Sequence, residues 1–165
     1  MRFDTSIVQA RYRSPLGPMI VAATARGVAG VWFDGQRHLP DCSAWPAAPG
    51  NPLLCKAMQQ LDEYFAGTRT AFDLPLDLQG GTAFQQSVWQ ALLSIPRGGT
   101  TSYGTLSHRI GQPAAVRAVG AAVGRNPVSI VVPCHRVLGS DGSLTGYAGG
   151  LERKGALLRL EGALM

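Results

Sequence analysis

The chain has 165 residues, of which 45% are hydrophobic and 15% charged, which is enough apolar material for one or two packed units and excludes disorder as the dominant state. Its most apolar run, around Val128 to Val132, is far shorter than the roughly 18 residues of a membrane span, and Met1-Arg2-Phe3-Asp4 lacks a signal-peptide core, so the expectation is a soluble cytoplasmic protein. Three cysteines, Cys42, Cys55 and Cys134, are an odd count in a chain that can form a core without staples, which points to a reducing compartment.

The first predicted elements are strands at Ile7 to Tyr12, Met19 to Ala25 and Val28 to Phe33, with turns at Pro15-Leu16-Gly17-Pro18 and Arg26-Gly27. They make a small β-meander. The Pro- and Ala-rich stretch from Ala44 to Pro52 reads as a surface loop. Leu54, Met58, Leu61 and Phe65 then recur at helical spacing, and Gly67 ends that helix. Gln79-Gly80-Gly81 breaks the pattern and sets a boundary between a domain over 1–79 and a second over 82–165.

Thr82 and Gln85 form a capping box for a helix with an apolar stripe of Phe84, Val88, Trp89, Leu92 and Leu93, stopped by Pro96. Ser102 caps a short helix to about Ile110. Pro113, as a first helical residue, opens another to about Gly124. Two short helices across a Gly-containing turn read as a helix-turn-helix. The second is built of alanine, glycine and valine, with Arg117 as its single charge. Composition leaves two readings: a slim helix presenting one arginine to a partner, or a tightly packed core helix from which Arg117 snorkels to water.

Charge separates the two halves. Residues 1–83 carry seven basic and seven acidic side chains, whereas residues 84–165 carry eight basic and three acidic, so the whole net charge of +5 lies in the second half. A polyanion such as nucleic acid fits that excess, and so does simple solubility.

The apolar strand expected at Ile130 to Val137 is interrupted by Pro133-Cys134-His135-Arg136. Along a regular strand Cys134 and His135 would face opposite ways, and Pro133 argues against a central strand. If the chain turns there, an imidazole beside a thiol, with Arg136 adding positive field, lowers the cysteine pKa and gives a standing thiolate. Asp141, Glu152 and Glu161 are the downstream acceptors able to orient the imidazole. A helix over Leu151 to Leu160 closes the chain, and Glu161 at its C-terminal end opposes the helix dipole, a sign of a specific partner. Cys42 and Cys55 read as small hydrophobes. A zinc site from His38, Cys42, Cys55 and His108 is conceivable but lacks any closely spaced ligand pair.

The motifs together resemble the O6-alkylguanine-DNA alkyltransferases, which reverse DNA alkylation directly. Pro133-Cys134-His135-Arg136-Val137 matches the family's active-site signature. Arg117-Ala118-Val119-Gly120 and Asn126-Pro127 precede it, and Tyr147 and Leu160-Glu161-Gly162 follow it, at the family's spacing. Ser14-Pro15-Leu16-Gly17-Pro18 and the Phe84 to Tyr103 region agree, so the resemblance covers the whole chain.

The resemblance implies an α/β (α+β) fold: a small N-terminal sheet-plus-helix domain, then a mainly helical domain with the helix-turn-helix and the cysteine loop. It implies irreversible, single-turnover transfer of an alkyl group from O6-alkylguanine in double-stranded DNA to Cys134. His135 is then the base, linked through a water to Glu161, and Tyr103 helps rotate the nucleotide and donates a proton. Arg117 fills the gap in the base stack, and Asn126 braces the turn before the active-site loop. Ala118, Arg125 and Arg136 join Arg117 and Tyr103 at DNA, while Val137, Tyr147 and Ala148 line the guanine pocket; many relatives have serine where Ala148 stands. The implied protein is a monomer without membrane or obligate protein partner, needing no cofactor and no metal. A cysteine hydrolase using Cys134, His135 and Glu161 is the enzymatic alternative, distinguished by turnover. A lesion-sensing DNA binder is the other; alkyltransferase-like sensors replace the acceptor cysteine, present here as Cys134.

Overall fold

A computed structural model describes all residues from Met1 to Met165. The chain forms two compact units, Met1–Gly80 and Gly81–Met165, with the mixed α/β content expected.

In the first unit, β1 (Val8–Ser14), β2 (Gly17–Ala23) and β3 (Val28–Phe33) pair antiparallel in that order. The first hairpin is tighter than expected: Ser14 faces Gly17 in register, so only Pro15 and Leu16 form the loop, and Gly17 takes a φ of 119° that a side chain would resist. Every residue of β3 is buried. One face of the sheet is covered by α1 (Pro52–Phe65), which buries Leu54, Ala57, Leu61 and Tyr64. Asn51 starts this helix by accepting from the Leu53 and Leu54 amides, with Pro52 in its first turn. A separate cluster of Ile7, Ile20, Ala22, Ala29 and Trp32 is completed by Phe3, Leu39, Cys42 and Trp45.

The second unit opens with α2 (Ala83–Leu92), whose Thr82–Gln85 capping box is fully formed. The two-residue strand β4 (Thr101–Ser102) leads into α3 (Tyr103–Arg109), capped by the Ser102 hydroxyl. α4 (Val116–Gly124) follows, and α5 (Leu151–Leu160) ends the fold. The Trp89 indole, fully buried on α2, donates to the Ala122 carbonyl of α4 at 2.8 Å and fixes the two helices together.

Two expectations are corrected here. Helix α4 begins at Val116 rather than Pro113, because the Ala115 amide donates to the Gln112 carbonyl and places Pro113 at the second position of a β-turn. The apolar run before the cysteine is not a strand. Residues 129–132 are buried turns, with Ile130 at a φ of +73°, unusual for a β-branched residue. Only Val137–Leu138 is extended, as β5, paired parallel with Thr101–Ser102.

Candidate active site

The site is built on a chain reversal between α4 and β5. At its root Asn126, 4% exposed, accepts from the Val128 amide at 3.0 Å and donates to the Val132 carbonyl at 2.8 Å. These bonds cross-link residues 126 to 132, in the way that satisfies buried backbone groups where no ladder exists. The chain then enters a single 3-10 turn, Cys134–Arg136. A 3-10 turn, unlike a strand, lets adjacent side chains act on one site, which the sequence pattern of a strand forbade.

All three residues of that turn are buried, with His135 at 0% and Cys134 at 6% exposure. His135 Nε2 lies 2.8 Å from Glu161 Oε2, and Arg136 donates to both oxygens of the same carboxylate, from Nε at 2.8 Å and Nη2 at 2.9 Å. The contact of His135 with Glu161 is direct, which corrects the water-linked arrangement that the resemblance implied. It also names Glu161, rather than Asp141 or Glu152, as the partner of the imidazole. A third bond from Arg136 reaches the Ile95 carbonyl at 2.6 Å. Arg136 is therefore withdrawn from the expected DNA contacts: its guanidinium neutralises Glu161 inside the fold, where an unpaired carboxylate would be costly.

The expected standing thiolate is also corrected. Burial pushes the Cys134 thiol up to about 11, and the Asn126 side chain and the Lys154 ammonium offset only part of that. A positive neighbour outweighs desolvation when the thiol is open to water, and Cys134 is not. Burial likewise lowers the His135 pKa against the pull of Glu161, so the imidazole is neutral at neutral pH. With Nε2 turned to the carboxylate as an N–H donor, Nδ1 carries the lone pair, and it is buried with no hydrogen-bond partner.

Tyr103 begins α3, and its hydroxyl donates to the Thr145 carbonyl at 3.1 Å. Burial raises its pKa, so it holds its proton. Tyr147 and Ala148 are half-buried in the segment that carries Thr145, while Val137 is fully buried in β5. On α4, Val119, Ala122 and Val123 are buried and Arg117, Ala118 and Ala121 are exposed. The helix is thus not wholly core: its arginine stands on an open face of small side chains, with Arg125 exposed just beyond its end.

Lys154 escaped sequence reading. It lies on α5 with 0% exposure and donates to the carbonyls of Val137 at 2.6 Å, Thr145 at 2.7 Å and Gly146 at 3.2 Å. No group of three or more histidine, cysteine or acidic side chains is placed to hold a metal ion, and no helix is long and apolar enough to cross a membrane.

Two family models account for most of the chain: the 6-O-methylguanine DNA methyltransferase ribonuclease-like domain over residues 7–78 and the DNA binding domain of the same family over residues 83–163. The methylated-DNA–protein-cysteine methyltransferase of Mycobacterium tuberculosis is 50% identical over 148 residues, which span 90% of this chain and 88% of that protein. The methyltransferase of the same name from Methanosarcina acetivorans is 45% identical over 153 residues, spanning 92% and 96%. Among solved structures, Mycobacterium tuberculosis OGT in complex with DNA superimposes with a TM-score of 0.84 at 47% identity, covering 94% of this chain and 91% of that one.

Proposed function

The chain belongs to the 6-O-methylguanine DNA methyltransferase family and is a DNA-binding repair methyltransferase, and from that premise we propose that it removes the alkyl group of O6-alkylguanine in duplex DNA onto its own Cys134, once per molecule. The observation that carries this reading is the buried His135–Glu161 pair, with His135 directly after Cys134 in one buried 3-10 turn, which sets a neutral base, held by its orienting carboxylate, beside the nucleophile in the chain.

The thiol is protonated at rest, so His135 Nδ1 takes its proton as the substrate enters, and Glu161 stabilises the imidazolium that forms. The sulfur then bonds to the alkyl carbon as the bond from that carbon to guanine O6 breaks. The departing guanine gains a proton from the Tyr103 hydroxyl, which His135 can replace. The products are a thioether and ordinary guanine, with no proton or electron unaccounted for. Since no base in the site can cleave a thioether, the protein acts once. Asn126 steadies the developing thiolate, as its lowering effect on the thiol already indicates.

A base inside a duplex cannot reach a buried sulfur, so the nucleotide leaves the stack, at a cost of a few kcal/mol. Arg117 on the open face of α4 fills the space, and the alanines around it let the helix approach closely in the minor groove. Ala118 and Arg125 are exposed as well, which supports their meeting the DNA beside Arg117. Val137, Tyr147 and Ala148 line the pocket for the extruded guanine. A protein monomer suffices for each of these steps.

The test is the intact mass of the protein after mixing with an O6-methylguanine duplex. One added CH₂ per molecule on the peptide containing Cys134, no further transfer, and loss of transfer in Cys134→Ser but not in Cys42→Ser or Cys55→Ser are expected. Continued turnover, or label on Cys42 or Cys55, contradicts the reading.

A further inference from the structure

Lys154 is a charged side chain in an interior that has no carboxylate to match it. The one buried carboxylate of the site, Glu161, is already held by Arg136 and His135. All three ammonium donors of Lys154 are used, on Val137, Thr145 and Gly146, so it has no proton to spare as an acid. Those acceptors are significant by position. Val137 directly follows the Cys134–Arg136 turn, and the Thr145 carbonyl is the one that also receives the Tyr103 hydroxyl at 3.1 Å. One ammonium thus ties the strand leaving the nucleophile to the loop that seats the proton donor.

We propose that Lys154 is a positioning residue for the transfer: its buried ammonium clamps Val137 to Thr145 and Gly146, seats Tyr103 through the shared Thr145 carbonyl, and supplies the positive charge that the Cys134 sulfur faces as it ionises. This rests on Cys134 being the alkyl acceptor. Burial pulls the Lys154 pKa down to about 8 and Cys134 offsets part of that, so at pH 7 the ammonium form prevails, and in that form it eases ionisation of the thiol. The other ionisable groups around this cluster are His135 and Arg136 on the same turn, Tyr103 on α3 and Glu161 at the end of α5. Of these, the arginine and the glutamate neutralise each other, the histidine is neutral and the tyrosine is protonated. The lysine is left as the counter-charge for a thiolate.

Transfer and thiol reactivity are measured together in a Cys42→Ser/Cys55→Ser background, so that iodoacetamide reports Cys134 alone. For Lys154→Met, single-turnover transfer from an O6-methylguanine duplex falls about 100-fold, and Cys134 carbamidomethylation at pH 7, where the parent's Lys154 is charged, falls about tenfold. Affinity for undamaged duplex stays within about threefold. The second measurement separates clamp and charge from mere packing, because a loosened site admits water and makes the thiol more reactive. Transfer within about threefold of the parent, or a slower transfer with a faster thiol, overturns the proposal. If Lys154→Met does not unfold cooperatively, Lys154→Arg is compared with Lys154→Gln: recovery of transfer by the charged variant supports the proposal, and equal rates overturn it. Methyl label on a residue other than Cys134 in the parent protein would instead remove the reading on which the proposal rests.

Discussion

His135 and Arg136, neighbours in the chain, converge on one carboxylate, that of Glu161, each with a contact of 2.8 Å and both bonding to its Oε2. The same acid therefore orients the base and neutralises a buried cation. Replacing Glu161 by Gln removes both functions. The expected outcome is slower transfer, measured by single-turnover assay on folded protein, and a loss of stability of about 3–5 kcal/mol in denaturant titration, because the Arg136 guanidinium is left buried and unpaired. Slower transfer with unchanged stability would mean that Arg136 draws little from the pair.

Arg117 and Tyr103 differ in what they need from the substrate. Arg117→Ala slows repair in duplex DNA by about one to two orders of magnitude and is relieved when the modified guanine is unpaired or free, since only extrusion from the stack is lost. Tyr103→Phe slows transfer from every substrate, since the proton donor is gone. Both variants leave Cys134 reactive toward small thiol reagents. Equal losses on all substrates would rule out stack filling by Arg117.

The Cys134 thiol gives stability a defined pH dependence. Burial holds it at about 11 against an ordinary 9.0, so the folded state keeps a proton that the unfolded chain releases. The contribution is complete below pH 9 and is lost as pH rises through 11, a change on the order of 2–3 kcal/mol. Denaturant titrations of the parent and Cys134→Ser across that range measure it: the stability difference is flat below pH 9 and then moves against the parent. A difference independent of pH contradicts the burial argument.

Local signals in the sequence survived into the structure where short-range chemistry decides. The Thr82–Gln85 box and the Ser102 cap sit where their side chains predict, because capping involves residues within one turn. Glu161 at a helix end that disfavours it did mark a partner, and geometry supplied which. What failed depended on burial. An apolar run such as Val128 to Val132 is the same string whether it forms a strand or a buried turn; the Asn126 side chain decides between them by bonding to Val132, and that bond is not written in periodicity. Lys154 stands on α5 between Arg153 and Gly155 and reads as a solvent-facing lysine, since no local pattern announces that carbonyls from β5 and from the Thr145-Gly146 segment will converge on it. Arg136 is a second such case, since the carboxylate that holds it inside the fold lies 25 residues away in the chain.

The burial of Cys134 also bears on how long a molecule keeps before use. Under the proposed transfer to Cys134, the protein has one sulfur to give, and premature oxidation wastes it as surely as repair consumes it. Peroxides attack the thiolate, and a thiol held at about 11 offers roughly one thiolate in ten thousand molecules at pH 7. Only 6% of the residue meets solvent, whereas Cys55 on α1 is exposed. Oxidants therefore meet Cys55 first, and Cys134 stays in its reduced, protonated form, available for the transfer proposed above.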